Sequence, residues 1–402
     1  MNSDNDNKET LRSNVSYPAF LKDVLICSLG AYGGPEAHLG VFLDRMVTKK
    51  RYLKEQDLVE LMALCSILPG PTSTQTIVSI GYRMGGRKLA FFTMIVWALP
   101  VLFVMGFLSF GYQVLSSMNV SHSILRFIGP MAVGFIIVAA LRIGRKVVTD
   151  LLSLGLLLSS AVLTFFFRSP WVFPLVLAAG GLISILIKRE KGMWNPVQIR
   201  PPWGYLVLFA ALAVGGLAAA SLTDFRLLEN FERFYRYGYL VFGGGQVVVP
   251  VMYGELVDIR QFMTGGEFLT GYGLVQGLPG PMFSFAAYAG GMASRGEGIL
   301  IQALGAAIGG IGIFLPGLLL IYFVYPLWED LKQIRAIRLS LAGINAVAGG
   351  LIAVAAVILT LSSGISLENL TVTAASALLL GFTKIPPPLI VLAAFGLGVI
   401  FR

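Results

Sequence analysis

The sequence predicts an all-α integral membrane protein made of two inverted-topology repeats with discontinuous, re-entrant helices. Three observations predict it. The 402-residue chain is 56% apolar and only 13% charged, whereas soluble domains carry about 25% charged residues. Uncharged apolar runs such as 89–115, 203–221 and 299–326 reach the roughly 20 residues a helix needs to cross hydrocarbon. They are continuous and not alternating, so a membrane β-barrel is excluded. Finally, breaker clusters recur. PGP at 69–71 returns at 279–281, 210 residues later, and YGGPEAH (32–38) aligns with FGGGQVV (242–248) at the same spacing. Over 32–71 against 242–281, 9 of 40 positions are identical, among them PGP and both glycines of the upstream cluster.

Residues 1–16 are polar and mixed in charge, without the basic start and apolar core of a signal peptide. They are expected to form a disordered cytoplasmic tail. Residues 17–190 form the first repeat, 191–225 a connector with one inverting span, and 226–402 the second repeat. The whole net charge of +9 falls in 1–201, with 20 Lys/Arg against 11 Asp/Glu, while 202–402 has ten of each. In a soluble protein that balance would suggest nucleic acid; in a membrane protein it reports which loops face the cytoplasm, and no nucleic-acid partner is expected. The basic segments 45–57, 83–88, 142–146, 188–192 and 332–338 are therefore read as inside loops.

The first two of these bracket only segment 58–82, which PGP splits. A re-entrant hairpin turning near PGP keeps both inside, and GGP splits 20–43 in the same way. Four spans follow (about 89–115, 124–141, 151–167 and 170–187), then the Pro-rich connector and a span at 203–221 that takes the chain outside. There the second copy begins upside down, with broken elements near 235–256 and 266–292 and spans near 299–326, 340–363, 368–382 and 386–401. The total is about nine full spans plus four broken elements, or thirteen crossings if all are counted. Either count leaves the amino terminus cytoplasmic and the carboxyl terminus outside the plasma membrane.

Inverted repeats with interrupted helices are the usual architecture of secondary transporters, with the substrate at the repeat interface. Proline stops the helix before it. After Pro69–Gly70–Pro71 a new helix can start, its amides unpaired and its dipole positive, which makes that end an anion site. Thr72, Ser73 and Thr74 add hydroxyls in the first copy. Ser284 does so after Pro279–Gly280–Pro281 in the second. Gly33, Gly34, Gly243, Gly244 and Gly245 allow close backbone approach to an ion. The four broken elements are thus expected to converge on one small oxyanion with no central arginine. PGP read alone is equally a packing kink. Glu36 and His38 are a proton relay, an anion ligand or a pair near the membrane surface. Gln246 and Gln276 line a polar cavity or bond across helices. Glu255 and Asp258 are expected at the outer boundary, Arg126 as an interface anchor, and GAAIGGIG (305–312) as a helix-packing face that could also serve a homodimer contact.

Other chemistry finds little support. GYRMGGRK (81–88) misses the phosphate-loop lysine position and the following Ser/Thr. There is no HExxH, no paired CxxC and no spacing that suggests a catalytic triad. Cys27 and Cys65 are expected as free thiols. No cofactor, metal or catalytic residue is expected.

GGPEAH (33–38), LCSILPGPTSTQ (64–75), FGGGQVVVP (242–250) and FLTGYGLVQGLPGP (268–281) closely resemble the two halves of the chromate ion transporter family in its long, two-domain form. The resemblance extends to the LP pairs at 99–100 and 315–316. It implies chromate efflux across the plasma membrane, conferring chromate resistance, with sulfate as the chemically similar competitor. The family patterns fall on Gly33, Gly34, Pro35 and His38, on both PGP triplets, and on Gly243, Gly244, Gly245 and Gln246. Tyr52 stands where the family commonly has Trp, and Ser284 where Asn is usual. The leading expectation is potential- or proton-driven chromate export by alternating access. Carriage of sulfate or another small anion and an anion channel are the alternatives.

Overall fold

The computed structural model describes residues 16–117, 124–167, 171–188, 200–240, 246, 248–331 and 334–401, apart from the side chains at 35, 36, 115–117 and 329. The expected disordered tail, except Ser16, lies outside these residues, as do Gly243, Gly244, Gly245 and the Glu36 side chain. Every regular element among the described residues is helical.

The first half runs α1 (Tyr17–Gly30), a break at Gly33–Gly34, and α2 (Pro35–Phe42), which passes directly into a π-helical turn, Leu43–Lys49. Then come α3 (Glu55–Ile67), the PGP break, α4 (Thr72–Ser117), α5 (Ile128–Val147), α6 (Leu151–Phe166) and α7 (Val172–Ile187). Non-helical Gly85 and Gly86 divide α4 into two parts. After α8 (Trp203–Leu222) the order repeats. The second half has α9 (Arg226–Tyr239), a break, α10 (Val248–Tyr253) with a π turn at Gly254–Ile259, α11 (Gly265–Gln276) and the second PGP. A 3-10 turn (Met282–Ser284) leads into α12 (Phe285–Ala293). The chain continues with α13 (Ile299–Val324), short α14 (Trp328–Leu331), α15 (Arg335–Ser363), α16 (Leu367–Phe382) and α17 (Pro387–Ile400).

Matching positions share local geometry. Among the described residues, Arg51 and Gln261, 210 apart, are the non-glycine residues with positive φ, at 53° and 52°. Gly70 and Gly280 take φ of 130° and 110°, which only glycine adopts without strain. Helix starts match as well. Asp57 accepts from the Lys54 amide at 3.1 Å, and Glu267 from the Thr264 amide at 2.7 Å, which ties down first-turn donors. Beyond the PGP helices the spacing grows by six. Pro100 and Pro316, each inside a long helix, are 216 apart, and α6 and α16 match end to end at that spacing.

Each of the nine segments expected to span is one helix. Among the described residues, five helices are long and apolar enough to cross a membrane: 72–114 within α4, then α5, α8, α13 with its extension to Leu327, and α15. The other four, α6, α7, α16 and α17, are apolar helices of 14 to 16 residues. Their outward faces are apolar: on α8, Val207, Val214 and Leu222 are exposed and only Gly216 is buried. Such a surface fits lipid and not water. The stripe at 305–312 packs as expected. An added Cβ at Gly309 or Gly290 would meet the facing helix, and Gly312 faces Phe234 of α9. Cys27 and Cys65 are buried free thiols.

Several basic segments are not loops. Residues 43–49 continue α2 because Arg45 turns inward to Asp23, which is buried and also accepts from the Tyr52 hydroxyl at 2.6 Å. Residues 142–146 form the last turns of α5, and Arg335 and Arg338 begin α15. Glu255 sits inside the fold. It is buried, and it accepts from Arg233 at 3.0 Å, Arg236 at 2.9 Å and the Tyr237 hydroxyl at 2.9 Å. Arg126 is exposed and pairs with Glu368.

Candidate functional site

The breaks of both halves meet. The Gly280 amide donates to the Ala31 carbonyl at 2.7 Å, joining the second PGP to the residues just before Gly33. Each PGP also packs on the Pro-bearing helix of the other half. A Cβ on Gly317 would lie 3.5 Å from Pro71, and one on Gly280 would lie 2.9 Å from Val101.

Next to this junction lies a cavity of about 430 Å³. Gly33, Gly34 and Thr72 line it from the first half, and Gln246, Gln276 and Met282 from the second. Five residues expected at the site therefore share one space, together with the residue that follows Pro281. Thr72 opens α4, and Gly34 immediately precedes α2, so two helix starts face the cavity. Their first-turn amides lack helical partners and carry the positive end of the dipole. Gln246 accepts from the Tyr272 hydroxyl and donates to the Met282 sulfur at 3.7 Å. The Gln276 side-chain nitrogen is buried without a protein partner. A buried amide donor beside two helix starts offers neutral hydrogen bonds to an anion.

The remaining expected residues stand behind this lining. His38 is buried, with Nδ1 3.0 Å from the Ser73 hydroxyl, its ring edge-on to Trp97 and Nε2 without a partner. Thr74 accepts from the Trp97 indole at 3.1 Å. The Gln75 amide closes the first break by donating to Pro69 O at 2.9 Å, and the Gln75 backbone donates to Pro71 O at the same distance. Ser284 donates its amide to Pro281 O at 3.0 Å, and its hydroxyl is buried without a partner. Pro279 is half-buried. Ser73 and Thr74 thus position α4, while Thr72 faces the cavity.

The other wall is α5. Phe135 and Val138 are buried, whereas Arg142 and Lys146 are exposed, so the cavity opens at the carboxyl end of this helix. Lys188 and Asp150 form an ion pair at the rim. Hydrogen bonds from Lys188 and from Ser153 hold the Asp150 carboxyl down at about 2. An arginine does therefore line the cavity, at its mouth. Reading 142–146 as a loop missed it. The signal was the four-residue spacing of Val138, Arg142 and Lys146, which extends an apolar helix face into a basic one.

Fold and site together define a multi-pass helical membrane transporter with a cavity between its halves. Residues 19–185 and 228–399 both match the family model described as chromate transporter, and the chain belongs to the chromate transporter family. It is 26% identical over 373 residues to the chromate transport protein of Pseudomonas aeruginosa, covering 90% of this chain and 86% of that one. With the chromate transport protein of Cupriavidus metallidurans it shares 27% over 404 residues, covering 97% and 93%. The uncharacterized transporter YwrA of Bacillus subtilis aligns over 176 residues at 26%, which is 42% of this chain but 93% of that protein. No solved structure matches the chain.

Proposed function

We propose that this protein exports chromate, with sulfate as a competing ion, by alternating access between two inverted repeats. The observation that carries this reading is the convergence of Gly33, Gly34 and Thr72 with Gln246, Gln276 and Met282 on one cavity. One half supplies helix starts and the other side-chain amides, so neither half alone completes the lining. The repeats are 17–190 and 226–402, with α8 as the odd helix that inverts the second. A near-full-length match to a half-sized relative supports that division. The chromate transport named for the two bacterial relatives supports the cargo.

Sidedness follows from the charged ends. Arg142, Arg145, Lys146 and Lys188 gather where the cavity opens, and basic residues accumulate on the cytoplasmic side. The cavity then faces inward, with the amino terminus inside and the carboxyl terminus outside. A dianion leaving a cell with an inside-negative potential of 100 mV gains about 4.6 kcal/mol, enough for a gradient of roughly three orders of magnitude without a coupling ion.

Flux into and out of proteoliposomes at clamped potentials tests this. Saturable chromate movement toward the positive side, competed by sulfate, is expected. Uptake against an inside-negative potential without a proton gradient would overturn it, and flux that neither saturates nor shows counterflow would mark a channel.

A further inference from the structure

The stripe of α5 that lines the cavity changes character along its length. Phe135 and Val138 are apolar and buried, and Arg142 and Lys146 continue the same face as exposed cations. With Lys188 and Asp150, the rim carries three bases and one acid. Arg142 donates from Nη2 to the Leu380 carbonyl at 2.9 Å, in the last turn of α16. No carboxylate lies within ion-pair distance of it among the described residues. Most of a five-donor guanidinium is left for other partners.

The matching positions of the second half carry no charge. At the spacing of 216 that matches α6 with α16, Arg142 corresponds to Ile358, Lys146 to Ser362 and Asp150 to Ser366. Ser362 accepts from the Tyr253 hydroxyl at 2.6 Å. If the halves exchange roles when access alternates, the stretch presented to the other face lacks the cations of Arg142 and Lys146.

We infer that the two faces of this transporter hold a dianion unequally: Arg142 and Lys146 form a collecting site on one face, and the matching Ile358–Ser362 stretch is an exit without those cations. The inference rests on the two-repeat export reading above. A dianion about 8 Å from one cation gains roughly fivefold in local concentration at low salt, and about twofold at physiological ionic strength. Fixed charges cannot move the final equilibrium. They set the concentration at which each face half-saturates, so a basic intake loads at low substrate and an exit without those cations does not trap the ion.

Oriented vesicles carrying the full chain test this, with chromate and sulfate as probes presented to one face at a time. Thermodynamics ties maximal flux over half-saturation on the two faces, so the readout is the half-saturating concentration itself. Glutamine at 142 keeps a donor for Leu380, which separates charge from helix capping. R142Q/K146Q is expected to raise half-saturation on its own face about 25-fold at low salt and to flatten its salt dependence. The other face should stay within about twofold, and R142K should retain wild-type values. Ser362→Lys should lower half-saturation on the opposite face. Wild-type flux with unchanged half-saturation and salt slope in R142Q/K146Q overturns this inference alone. Wild-type protein without saturable oxyanion flux overturns the export reading and this inference with it.

Discussion

In the first half the helix before the break carries an acid, Asp23, and the turn after it carries the base, Arg45. In the second half the same positions, 210 residues on, hold the opposite signs: Arg233 on the helix and Glu255 on the turn. Both pairs clasp a helix to the π turn that follows it in the chain. The tether is kept while its polarity is exchanged, so its work is to fix the distance across the break and not to present a particular charge. Surroundings differ too. Arg45 is 23% exposed, and Lys50 approaches Asp23 from the surface. Arg233 and Glu255 are nearly sealed, and Arg236, Glu232 and Tyr237 extend the pair into a network.

The sharpest way to break this comparison is Glu255→Ala. It leaves two buried guanidiniums without their shared carboxylate and is expected to cost about 3–5 kcal/mol, seen as a large fall in melting temperature in detergent. Asp23→Ala should cost less, because Arg45 can turn to water. A charge exchange sharpens the polarity argument. D23R/R45D should recover part of the loss of the single variants, with a coupling of about 1–3 kcal/mol in a double-mutant cycle. Recovery stays incomplete because Tyr52 loses its acceptor. A coupling near zero would show that sign, and not the tether, is what the first half requires.

A second pair of matching positions gives the smallest effects. Ser28 donates to the Trp97 carbonyl at 2.7 Å. Its counterpart Gly238 sits against the Ile313 carbonyl, where an added Cβ would also lie 2.6 Å from Pro316. One half bonds across this contact, and the other closes it by having no side chain. Gly238→Ala is expected to cost about 1–3 kcal/mol by overpacking, and Ser28→Ala about 1 kcal/mol. Equal melting shifts for the two would contradict the assignment.

Much of this arrangement was legible in the sequence. The two PGP triplets and the glycine clusters marked the breaks, because proline and glycine constrain the backbone wherever they occur. The long apolar runs marked the helices, whose ends moved by only a few residues. The clasps were not legible. Arg45 is read as part of a basic loop and Glu255 as a boundary charge, and nothing singles out Asp23 or Arg233, since the partners are 22 residues apart and only a tertiary contact pairs them. The mouth of the cavity escaped for a related reason. A basic cluster after an apolar run suggests a loop, and the continuing helix at 142–146 shows itself only through packing. Ser73 and Thr74 looked equivalent to Thr72, but a helix turns about 100° per residue, so only one of three consecutive hydroxyls faces the cavity.

The bond from the Gly280 amide to the Ala31 carbonyl is made entirely of main-chain atoms. Alanine scanning therefore passes over it: every side chain nearby can be trimmed while the joint between the two halves survives. Its removal calls for a change in the chain's own skeleton, such as an ester in place of that amide. The seam between the two halves is thus insulated from most single-codon change, and drift elsewhere in either half leaves it in place.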